Sequence, residues 1–96
     1  MVKALDDIDR LIHEPARLLI MTTLFVVEEA DFTFLMNQTG LTWGNLSSHI
    51  TKLEAAEYVR IKKTFVQKKP QSIASLTDVG RSAFMDYRQS MKDLLD

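Results

Sequence analysis

Asn45, Ser48, Thr51 and Lys52 fall, with Gly44, on one side of a helical stretch. Leu46, Ile50 and Leu53 recur at i, i+4 and i+7 on the opposite side, the spacing of a narrow apolar stripe. The outer face carries hydroxyls, an amide and an ammonium, and it meets no carboxylate before Glu54. An amide of this kind can pair bidentately with adenine, and a lysine can pair with guanine. Ser47 and His49 flank the face, where such groups suit phosphate oxygens. Taken alone, the same face reads equally well as a solvated polar surface.

The next stretch separates the two readings. Val59, Ile61 and Phe65 share one strand parity and suit a core side, while Arg60, Lys62 and Thr64 take the other. Lys63 breaks the alternation, having the inward parity. Residues 66–71 then read as a turn with two lysines and a proline, and 72–76 as the returning strand. Five basic residues (Arg60, Lys62, Lys63, Lys68, Lys69) and no acid lie between Tyr58 and Thr77. A cationic hairpin directly after a polar-faced helix is what a winged helix-turn-helix requires. Its helix enters a groove of duplex DNA and its wing tip reaches phosphate. On this reading Asn45, Ser48, Thr51 and Lys52 face base edges. Ser47, His49, Lys62, Lys63, Lys68 and Lys69 hold phosphates.

The elements that must position this unit lie on either side of it. Residues 3–12 place Leu5, Ile8 and Ile12 on one helical face, giving an expected N-terminal helix. Pro15 suits the first turn of a following helix, where its missing N–H is not needed. That helix is expected to run to about Glu29 and, being apolar on most sides, to form the centre of the core. Residues 31–33 form a minimal third strand, and Thr33 caps a short helix reaching Thr39. Gly40 supplies a turn and Thr42 caps the polar-faced helix. After the hairpin, Thr77 caps a last helix with Phe84, Tyr87, Met91 and Leu94 spaced 3, 4 and 3, widened by Leu95. Such a seam serves either a dimer or packing within one chain. Dimerisation is preferred because the N-terminal helix also offers an apolar face, so Leu5, Ile8, Ile12, Phe84, Tyr87, Met91, Leu94 and Leu95 form the expected interface.

The expected fold class is α+β and mostly helical, a winged helix-turn-helix with a two- to three-stranded wing sheet and terminal dimerisation helices. One domain spans 1–96, with an N-terminal helix over 1–12, a winged-helix core over 14–76 and a C-terminal helix over 77–96. The net charge of −1 hides a strong asymmetry. Residues 1–31 hold seven acids and three bases, whereas 42–69 hold six bases and two acids. The field at the contact face governs binding, so a local basic patch on a neutral chain is sufficient.

Several motifs resemble the small prokaryotic MarR/ArsR-like winged helix-turn-helix transcriptional regulators. Residues 41–49 (LTWGNLSSH), with Lys52-Leu53-Glu54 and Tyr58-Val59, resemble their recognition helix, and Phe65-Val66 with Lys69-Pro70 their wing. His13-Glu14-Pro15 with Arg17-Leu18 resembles the opening of their first core helix. Leu76-Thr77, Gly80-Arg81 and Ala83-Phe84 resemble the start of their last. The resemblance implies a homodimer that binds a palindromic operator. Glu57 and Gln67 stand where the family usually has glycine, and Gln71 where it usually has arginine. Trp43 is large for its place and either packs as part of the core or stacks on sugar–phosphate.

An enzyme is not expected. His13 and His49 lack partners at ligand or triad spacing, and three glycines form no phosphate loop. No cofactor or metal is expected, and no cysteine is present. No signal peptide or membrane span is read, so a cytoplasmic location is expected. A winged-helix scaffold that binds only protein is the alternative function, but it does not require an acid-free basic wing beside an acid-poor helix face.

Overall fold

The computed structural model describes residues 7–96. Glu14 starts the first helix, α1 (Pro15–Val27), by accepting a hydrogen bond from the Arg17 amide at 2.8 Å. Pro15 follows at a position that needs no donor. The helix stops at Val27, short of the expected Glu29, because Glu28 turns to φ 71°. Ala16, Ile20, Met21 and Leu24 are buried, but Leu19 and Val26 remain open on the far side. The helix therefore has one core face and one exposed apolar face.

Strand β1 (Glu29–Asp31) comes next, two residues earlier than expected. The reason is Asp31, whose Oδ1 accepts from the Phe34 amide at 2.7 Å and so caps α2 (Phe32–Thr39). Thr33, the expected cap, lies inside that helix. Gly40 ends α2 in the left-handed region at φ 74°, and Thr42 caps α3 (Trp43–Ala55) by accepting from the Asn45 amide. Leu46, Ile50 and Leu53 of α3 are buried, as their spacing requires.

Strands β2 (Val59–Val66) and β3 (Lys69–Leu76) are longer than expected and are joined by only two residues. Gln67 and Lys68 both take positive φ, 52° and 68°, the pattern of a type I′ turn. The sheet is antiparallel in the order β1-β3-β2. Pro70 is tolerated because β1 reaches only Ile73–Ser75 of β3, so no neighbour claims the missing donor. Phe65 has the inward parity but is 73 % exposed, since the hairpin runs past the body. Lys63 has the same parity and is exposed for the same reason.

Helix α4 (Asp78–Leu95), capped by Thr77, closes the fold. Phe84 and Tyr87 are buried in the core of the single chain, together with Ile12, Val59 and Ala74. This corrects their assignment to a subunit interface, because the chain already covers them. Ile8 and Met91 are half-buried, Leu94 and Leu95 are exposed, and Leu5 lies outside the described residues. From Asp7 to Ile12 the chain forms turns rather than the expected α-helix. There the Asp9 carboxylate accepts from the amides of Leu11 and Ile12 and holds the backbone in a tight bend. The Tyr58 hydroxyl donates to the other Asp9 oxygen, and burial, then this bond, pushes the phenol up to about 12.

Glu57, after α3, sits at φ 65°, where an L-residue is strained by roughly 1–2 kcal/mol. Its exposed side chain is not part of the core. Glu57→Gly should therefore raise stability, by about 1 kcal/mol after the added chain entropy of glycine. A urea titration checks this, and an unchanged or lower midpoint would contradict it.

Candidate nucleic-acid interface

Helix α3 presents its predicted contact residues as a continuous solvent face. Asn45, Ser48, Thr51 and Lys52 are all exposed, while Ser47 and His49 on the flanks are half-buried. Thr51 Oγ1 donates to the Ser47 carbonyl at 2.9 Å, so its oxygen is left to accept. The first turn of the helix holds no acid. Across the sheet, Lys62, Lys63, Lys68 and Lys69 are exposed on the hairpin. Lys68 is one of the two residues between β2 and β3 and so stands at the tip of the hairpin.

His49 is held from within. Arg17 Nη1 lies 3.2 Å from His49 Nδ1 and can only donate, so that nitrogen accepts. The neutral ring then carries its proton on Nε2. Arg17 also donates through Nε to the Leu11 carbonyl at 2.6 Å, and Glu14 Oε1 stands 3.9 Å from His49 Nδ1. The Arg17 amide that Glu14 caps holds this carboxyl below the usual carboxylate range. Only one nitrogen of His49 is left for an outside partner, a restriction no local motif announces because Arg17 lies 32 positions away.

Asp31 performs a second task. Its Oδ2 accepts from Gln71 Nε2 at 2.8 Å while its Oδ1 caps α2. The carboxylate thus ties the base of the wing to the helix-turn-helix. Sequence reading missed this brace, which joins residues 40 positions apart. Among the described residues, no group of three or more His, Cys, Asp or Glu is placed to hold a metal ion. Among the same residues, no helix is long and apolar enough to cross a membrane.

Comparison with known proteins identifies the fold and the family. The family model described as a winged helix DNA-binding domain matches residues 16–95. An uncharacterised protein of Methanocaldococcus jannaschii is 32% identical over 78 residues, covering 81% of this chain and 85% of that protein. The structure of a transcriptional regulator homologue from Pyrococcus horikoshii superposes with a TM-score of 0.86 at 31% identity, covering 92% of this chain and 87% of the other. Overoxidized AbfR bound to DNA shares the fold alone, with a TM-score of 0.77 at 16% identity over 93% of this chain and 68% of that one. Solved regulators of the MarR and ArsR families have the same fold.

Proposed function

This chain belongs to the winged helix DNA-binding domain family, and from that premise we propose that it is a homodimeric transcriptional regulator of duplex DNA. Helix α3 lies in the major groove and the wing lysines rest on phosphate. Fold and family are those of DNA-binding regulators, not of enzymes. The observation that carries the reading is one surface: an acid-poor, fully exposed row on α3 beside a hairpin with five bases and no acid. A scaffold for protein partners has no need of that charge arrangement.

Asn45, Ser48, Thr51 and Lys52 read base edges. Ser47, the free nitrogen of His49 and the four wing lysines hold the backbone. Two copies joined through Ile8, Met91, Leu94 and Leu95 set half-sites of a palindromic operator about 34–36 Å apart, one turn of the duplex.

Fluorescence anisotropy of a labelled random-sequence duplex, titrated across a salt series, tests the proposal. Binding should weaken steeply with salt as counterions compete for the phosphates. No binding at low salt would overturn it and leave the scaffold function. Once an operator is selected, Asn45→Ala should lose about 1–3 kcal/mol of discrimination at one base position and little elsewhere. A variant that weakens all sequences equally would remove Asn45 from base reading.

A further inference from the structure

Trp43 opens α3 and is the chain's one tryptophan, yet it is 57 % exposed. It is not packed as a core residue. Its ring rests on Phe32 at a centroid distance of 5.1 Å, with the planes inclined at 49°. Phe32 opens α2, so the indole is braced where the two helices begin. An indole left open in this way forgoes burial worth roughly 25 cal/mol per Å².

The surroundings say what covers it. No other large apolar side chain of α3 is exposed, and the ring's apolar neighbour is the half-buried Phe32, less than the broad apolar core a second copy would need. From Phe32 through Leu53 there is no carboxylate to repel a polyanion. Beyond its own chain neighbours and helix backbone, Gly44, directly after the tryptophan, meets nothing within 4 Å of the place a Cβ would occupy, so the backbone there is open to close approach. Asn45 follows, exposed on the base-reading row. Indole itself has an apolar body and one N–H donor, which matches a deoxyribose ring beside a phosphate oxygen.

We infer that Trp43 is a DNA contact, its open ring lying against deoxyribose at the edge of the groove that α3 enters, with Phe32 as its brace. The contact rests on the DNA-binding function proposed above. It adds affinity that salt does not screen, since no charge is involved.

The test records two signals in one titration of the intact protein with a labelled random-sequence duplex at low salt. Anisotropy of the label reports binding, and tryptophan emission with acrylamide quenching reports the indole alone. The expected result is a change in emission and loss of acrylamide access in step with the anisotropy rise. Trp43→Ala should then weaken binding roughly tenfold, as loss of one ring contact does, without altering the salt slope. Trp43→Phe, which keeps a ring on Phe32, should stay within about threefold of the parent, and matched melting curves exclude misfolding as the cause. Binding with an indole still open to acrylamide would overturn the contact and leave the DNA function standing. No rise in anisotropy would overturn both.

Discussion

Gly80→Ala should lower stability by about 3 kcal/mol, the upper part of the range for forcing atoms into filled space. A Cβ at this position would stand 2.0 Å from the Tyr58 carbonyl oxygen and 2.7 Å from its carbon. Both are backbone atoms and cannot rotate away. Nor can α4 retreat as a unit, because its first turn is fastened to the same corner. Thr77 N donates to the Tyr58 carbonyl at 3.1 Å, and Thr77 Oγ1 donates to the Glu57 carbonyl while accepting from the Gly80 amide at 2.9 Å. Relief of the clash would break that set of bonds. For a chain of this size the change corresponds to a melting temperature lower by ~15 °C, readable by circular dichroism. A variant melting within a few degrees of the parent would show that the corner is looser than its hydrogen bonds imply.

Replacing Lys68 and Lys69 together by alanine should leave folding nearly unchanged, since both side chains are exposed. It should cut affinity for DNA roughly 50-fold in 0.1 M salt for each protomer in contact, from about 0.9 counterions released per phosphate contact. The dependence of log affinity on log salt should flatten by roughly 1.8 per protomer. The loss should be similar on every sequence, because phosphate contacts position the protein without reading bases. An unaltered salt slope would take the wing tip off the phosphates, whatever the change in affinity.

Much of this architecture was legible because it rests on periodicity. The 46/50/53 stripe fixed which side of α3 is buried, and thereby which side is open. What escaped the sequence has definite causes. Asp31 and Thr33 are both good caps two residues apart, and only the hydrogen bond to Phe34 decides between them. The wing turn lacks glycine, so its sequence resembles a longer loop; register with β3 reveals the tight form with two left-handed residues. Glu28 ends α1 with no glycine to mark the break. Residues 3–12 have helical spacing, but Asp9 diverts the described part into turns. The seam on α4 is genuine, yet its first half faces its own core, because α1 and Ile12 are close enough to cover it. The exposed polar row on α3 was readable, whereas the Arg17–His49 and Asp31–Gln71 pairs depend on a fold that must be known first.

The double bond made by Asp31 has a mechanical result. One carboxylate joins the start of α2 to Gln71 on the wing, and under the proposed function that brace would hold the span between α3 and the wing tip like a set calliper rather than a hinge. A duplex that meets both jaws must supply the matching groove width itself. On the reading proposed here, base pairs that no side chain touches then influence affinity through how readily they bend or narrow. The protein would measure shape over a span wider than the four residues that measure letters.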